Sequence, residues 1–188
     1  MRTLLRASRF YDTVALVKLY KSNVLSFIEY GTPAFYHASP SVLAALDGIQ
    51  SAFLDHLSVS SRDALLKLNL APLTTRRDIA MLGLLHRIRL GTAPACLANL
   101  FPFRSNPIYS YGRRDGPPRH QHQSDDPVSA QSPLYMKRSV FGLLRVYNGL
   151  APDTVELQTV KSFQRKLQNL VKDATENGSW ESVLSPCS

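Results

Sequence analysis

The sequence predicts an all-α protein, and three observations carry the prediction. Apolar residues return every three or four positions through most of the 188 residues. No stretch alternates apolar and polar side chains in the two-residue rhythm of a strand. Helix start and stop residues punctuate the apolar stripes. The composition is that of a folded chain, 44% hydrophobic and 19% charged, too apolar for a disordered one. The length allows one hydrophobic core, or one and a short appendage.

From Asp12, Val14, Leu16, Val17, Leu19, Tyr20, Val24, Leu25 and Ile28 recur at helical spacing; Asp12 is the N-cap and Gly31-Thr32-Pro33 the stop. Ser39 as N-cap with Pro40 at the first helical position opens a second helix, whose stripe runs Val42, Leu43, Leu46, Ile49, Phe53, Leu54 and Leu57. Gly48 weakens that helix by about 1 kcal/mol relative to alanine without breaking its period. Ser60, with Asp63 three positions on, predicts a short third helix carrying Leu65, Leu66 and Leu68. After the break at Ala71-Pro72, Thr74-Thr75-Arg76-Arg77-Asp78 begins a fourth, with Ile79, Leu82, Leu85 and Ile88 inward. Gly91-Thr92-Ala93-Pro94 closes it, glycine first and proline after.

From Phe101 to Pro133 proline, glycine, glutamine, histidine, serine and aspartate dominate, the composition of a mobile loop or linker. Periodicity resumes at Val140, Phe141, Leu143, Leu144 and Tyr147, and again at Val160, Phe163, Leu167, Leu170 and Val171. The expected organisation is a helical bundle over residues 1–100, a Pro/Gly/His-rich linker over 101–133, a C-terminal helical tail over 134–175 and a disordered end over 176–188.

Charge narrows the function. Lys and Arg number 22 against 14 acidic residues, a net +8, and such an excess favours polyanions or keeps a surface soluble. It is concentrated in two blocks. Residues 1–30 hold five basic and two acidic groups, and residues 71–104 five arginines against Asp78 alone. No apolar run reaches the roughly 18 residues a membrane helix needs. The opening nine residues carry three arginines and no clean apolar stretch, unlike a secretory signal. Cys96 and Cys187 lie too far apart for a metal clip or a disulfide framework, which fits a reducing compartment, nucleus or cytoplasm.

Catalytic patterns are missing. His120-x-His122 beside Asp125-Asp126 offers metal ligands only in loop sequence, without the rigid support a metal or two-metal site requires. His56 sits near a helix C-terminus, His86 within a helix, and both read as structural. No Gly-x-Ser-x-Gly and no glycine-rich phosphate loop occurs in the required strand–turn–helix setting. The basic residues remain: Lys18, Lys21, Arg76, Arg77, Arg87 and Arg89 suit phosphate contact. Tyr30, Phe35, Tyr36 and His37 follow the first helix; aromatics beside positive charge suit base stacking, although Phe35 and Tyr36 read better as core.

Four segments taken in order resemble the region that follows the palm in non-LTR (LINE-type) retrotransposon reverse transcriptases. Leu19-Tyr20-Lys21-Ser22-Asn23-Val24 through Glu29-Tyr30 is similar to the family's thumb-helix pattern LYKSxVxxxLEY. Leu46-Asp47-Gly48-Ile49-Gln50 is similar to its LExVQ, and Leu68-Asn69-Leu70-Ala71-Pro72 through Arg76-Arg77 to its LgLpsLxxRR. Arg138-Ser139-Val140-Phe141 through Tyr147-Asn148-Gly149-Leu150-Ala151-Pro152, then Ser162-Phe163 to Leu167, is similar to the terminal RSFxxRxxxxWNxLP and SxxxFKxxL pair, with Tyr147 where the family usually has tryptophan. The likeness spans about residues 12–170. It implies a thumb-like fragment without fingers, palm or the Asp-Asp metal motif, hence no catalysis, metal or cofactor.

The resulting expectation is non-specific binding of RNA or an RNA–DNA duplex through phosphate contacts at Lys18, Lys21, Arg76, Arg77, Arg87 and Arg89, with a separate polymerase chain as a further partner and no membrane. Neutralising four to six phosphates gives a log–log salt slope of about −3 to −5. The alternative is a helical protein-interaction or structural fragment whose apolar face seeks a neighbour.

Overall fold

The computed structural model describes residues 2–105, 119–125, 139–178 and 184. Their secondary structure is helical, with no strand among the described residues beyond one isolated bridge between Phe103 and Ser124. The chain is all-α. It forms two compact units, Met1–Arg77 and Asp78–Ser188. The division falls inside the helix Leu73–Arg89.

The first unit starts with α1 (Arg2–Ala7) and α2 (Thr13–Leu19). Asp12 caps α2 by accepting from the Ala15 N–H at 2.8 Å, the satisfaction an N-cap provides. The expected α-helix from Asp12 to Gly31 is interrupted. Tyr20–Leu25 winds as a π-helix before α3 (Ser26–Tyr30). Tyr20 and Leu25 are both buried but five positions apart; the wider π-turn, bonded i to i+5, keeps both on the core side. After α4 (Thr32–Phe35), α5 (Pro40–His56) begins at the Ser39-Pro40 signal, and α6 (Ser61–Leu68) is capped by Ser60, which accepts from the Asp63 N–H at 3.1 Å. Asn69 ends α6 in the left-handed region at φ 53°, a conformation asparagine tolerates better than most residues.

The core of this unit gathers Leu16, Val17, Tyr20, Leu25 and Ile28 from the first helical stretch with Phe53 and Leu54 of α5 and with Ala64, Leu70 and Leu73. Tyr20 stacks on Phe53, ring centroids 4.2 Å apart. Burial of an aromatic of this size contributes about 1.5–3 kcal/mol. It also pushes the Tyr20 phenol up to about 12, with Arg76 pulling the other way. Tyr36 is buried and Phe35 packs against the core, as expected, whereas Val14 and Val42 of the predicted stripes face solvent.

The helix α7 (Leu73–Arg89) carries the change of unit. In the second unit come α8 (Ala95–Leu100), α9 (Val140–Asn148), α10 (Pro152–Val155) and α11 (Val160–Glu176). Ile79, Leu82, Leu85 and Ile88 are buried as their spacing predicts, as are Phe163, Leu167 and Val171 of α11. The C-terminal tail docks: Gln164 reaches the Ile79 carbonyl at 3.4 Å, and His86 of α7 stacks on Phe163 at 4.1 Å. Gly83 permits this approach, because a Cβ there would run into the Gln164 side chain.

Where the 101–133 stretch is described it is loop and turn, and part of it is packed. His120, Gln123 and Ser124 are buried. Asn148 holds Ser124 from both sides, accepting its N–H at 2.9 Å and donating to its carbonyl at 2.8 Å. Arg104 N–H bonds the Gln123 carbonyl, and Asp125 N–H the Pro102 carbonyl. An asparagine with one donor and one acceptor can serve as a strand partner, which polar composition could not reveal. Residues 112–118, Asp126, Cys187 and most of 176–188 lie outside the described residues.

Candidate functional site

The six cations expected to grip phosphate are mostly engaged within the fold. In the first unit, Arg77 forks onto Asp47, Nη1 to Oδ1 at 2.6 Å and Nη2 to Oδ2 at 3.1 Å, and its side chain is only 5% exposed. Arg76 Nε pairs with Glu29. Lys21 donates its ammonium to the Leu68 carbonyl at 2.6 Å. That carbonyl is in the last turn of α6, where a helix leaves its acceptors unsatisfied and favours positive charge. In the fold these three cations are engaged by protein groups. A guanidinium that is buried and bidentate would leave a carboxylate unpaired on turning to a ligand.

Lys18 differs: it is exposed and has no ion-pair partner among the described residues. In the second unit the two arginines part ways. Arg89 is buried, donates to the Phe101 and Pro102 carbonyls and lies 4.4 Å from the Phe103 ring centroid. It holds the chain after α8. Arg87 is exposed, with a 3.3 Å bond to the Thr92 carbonyl near the helix end.

The exposed side of the first helical stretch shows what the charge argument missed. Val14 is 60%, Phe27 78% and Tyr30 90% exposed. Phe27 and Tyr30 stand three positions apart on α3, hence on one face. Lys18, Ser22, Asn23 and Ser26 are exposed along the same stretch, and Phe10 and Tyr11 precede it at 84% and 50%. The sequence grouped Tyr30 with Phe35, Tyr36 and His37; Tyr30 and His37 are exposed, whereas Tyr36 is buried and Phe35 half-buried. The partners Glu29 and Asp47 also went unrecognised. Asp47 did carry a signal: it shares a helix face with Gln50 and Leu54 at three- and four-residue steps, and a carboxylate on a buried stripe calls for a cation.

The second unit contains a buried polar cluster. His86 is fully buried, its Nε2 2.8 Å from the Leu157 carbonyl and its Nδ1 3.0 Å from the Tyr147 hydroxyl. The carbonyl can only accept, so Nε2 carries the hydrogen and Nδ1 accepts from the phenol. His120 Nε2 lies 3.1 Å from the Tyr147 carbonyl. Burial pulls both histidines below the usual imidazole range, and His122 adds to the shift. It pushes the Tyr147 phenol upward. Neutral His86 has both ring nitrogens satisfied, and no group of three metal-ligating side chains assembles among the described residues.

Comparison with known proteins returns no match: no family model, no curated protein and no solved structure aligns with the chain. No described helix is long and apolar enough to cross a membrane.

Proposed function

We propose that this chain is a non-catalytic helical packing module, akin by its four sequence motifs to the post-palm region of LINE-type reverse transcriptases, and that it works by docking the aromatic face of its first helical stretch onto protein. The observation that carries the reading is the exposure of Phe27 and Tyr30, 78% and 90%, on one face of α3. Aromatic side chains at such density are the anchors of protein interfaces, and contiguous exposed apolar surface recruits partners. The cations expected to bind nucleic acid point instead to structural work, holding α3, α5 and α6 to the start of α7. The partner that fits the ancestry is a polymerase body; in its absence the same face finds a second copy.

Light scattering during gel filtration tests this at about 50 and 500 mM NaCl, with and without nuclease. Self-association should persist in all conditions and disappear in F27S/Y30S, since apolar contact is insensitive to screening. A monomer throughout would overturn the reading.

Nucleic-acid binding is the second reading, favoured by Lys18 sharing the exposed stretch with Phe27 and Tyr30, and by exposed Arg6 and Arg9 before it. Six phosphate contacts would give a salt slope of about −5 on a duplex, whereas Lys18 and Arg87 alone give about −2. Measuring the slope by fluorescence anisotropy separates them: −4 or steeper would restore the full clamp.

A further inference from the structure

We propose that the outer face of α11, in the second unit, docks antiparallel on the same face of a second copy of the chain, forming a weak two-fold dimer held by ion pairs. The helix turns Phe163, Leu167, Val171 and Thr175 into the core. Two positions before each of these stands a member of a second row, Lys161, Arg165, Asn169 and Asp173. All four are exposed, as is Glu176 three positions beyond. Two residues are about 200° of helix, so the second row lies opposite the buried one. From the start of the helix it carries two cations, a neutral amide and two carboxylates. None of these charged side chains forms an ion pair among the described residues. Lys172 lies beside the row and is half-buried, and Lys166 is occupied by Asp153.

This order is the reverse of what an isolated helix favours. The first turn has no acidic residue and the last no basic one, whereas the macrodipole favours acids at the start and bases at the end. Lys161 and Arg165 also repel one another as like charges four positions apart. An antiparallel copy turns both effects around, since each positive end then meets the partner's carboxylates and the negative end of its dipole. With the two-fold axis at Asn169, Arg165 opposes the partner's Asp173, each four positions from the axis, and Lys161 opposes the partner's Glu176. The two Asn169 amides face each other, and each can donate and accept. Symmetry makes every contact twice. One helix face is smaller than the roughly 800 Å² per partner of a standard interface, and exposed ion pairs are individually weak. The dimer therefore forms only at high protein concentration. Docking through Phe27 and Tyr30 belongs to the first unit, and the α11 contact does not rest on it.

Sedimentation equilibrium of the full chain tests this, with F27S/Y30S in every sample so that the aromatic face is silent. In about 100 mM NaCl a Debye length of about 10 Å damps the repulsion between two chains of net +8. K161E/R165E and D173K/E176K should each raise the dissociation constant about tenfold or more over that of the otherwise unchanged chain, because like charges then face each other. Mixed in equal amounts, the two variants should associate as strongly as that chain does. Both place their new charges where the dipole favours them, so neither should melt at a lower temperature. The exchange R165E/D173R keeps the net charge and should restore the association that R165E alone removes. An unchanged α11 that stays monomeric up to about 1 mM would overturn the proposal. So would charge-reversed variants that associate undiminished, or a mixture that stays monomeric. Should a paired variant fail to fold, R165E and R165E/D173R decide: the first must lose the dimer and the second keep it.

Discussion

Removing the carboxylate of Asp47 should destabilise the first unit far more than an exposed ion pair would. Arg77 is 5% exposed at its side chain and makes two hydrogen bonds to Asp47, which is itself 32% exposed. Breaking a fully buried pair by deleting one partner costs about 3–5 kcal/mol. Water reaching the vacated side of Asp47 solvates part of the stranded guanidinium, which brings the expected loss for Asp47→Ala to about 2–3 kcal/mol. The double variant D47A/R77M, which removes the stranded charge while keeping an unbranched apolar stem, should return to within about 1 kcal/mol of the parent. Urea unfolding followed by circular dichroism reads both values through the midpoint at constant slope. A loss below about 0.5 kcal/mol for Asp47→Ala would show that Arg77 swings freely to solvent. It would then be available to phosphate after all.

Three further outcomes are expected. His86 and His120 stay neutral in the fold, because burial holds both below the ordinary imidazole value. Below about pH 6.5 the unfolded chain therefore takes up protons that the folded chain refuses, and stability, full above that pH, falls as pH is lowered. The urea midpoint should therefore drop between about pH 7.5 and 5.5; a flat profile over that range would refute the burial argument. Asn148→Ala strands the Ser124 N–H and carbonyl, both held by the Asn148 side chain, and should cost about 2–3 kcal/mol by the same measurement. Ser58, at φ 53° in the turn after α5, should gain about 0.5–1 kcal/mol on replacement by glycine, which pays nothing for that conformation; a thermal scan showing a lower melting point would contradict it.

Helices were legible in the sequence because their signals are local. Ser39-Pro40, Ser60 with Asp63, and the Ile79–Leu82–Leu85 spacing act within one or two turns, and each sits where expected. The π-turn at Tyr20–Leu25 was invisible: Tyr20, at its start, stacks on Phe53, a neighbour far off in sequence. The fate of the cations was equally non-local. Arg76 and Glu29 are 47 residues apart, and so are Lys21 and the Leu68 carbonyl. Net charge counts both partners of a salt bridge but cannot show which positive groups are already neutralised. The same holds for His120, whose polar neighbours in sequence suggested solvent while its neighbours in space are Tyr147 and Asn148.

The clasp on Ser124 has a chemical lifetime as well as a strength. Asn148 is followed by Gly149, the dipeptide whose side-chain amide hydrolyses most readily through a cyclic imide. Deamidation would replace the donor that faces the Ser124 carbonyl with an oxygen, turning one arm of the clasp from attraction to repulsion. As long as the residue stays 2% exposed at the end of α9, the backbone geometry for ring closure is withheld. Each excursion that opens the segment exposes it to damage that prevents reclosure, so the second unit should age by the count of its own openings.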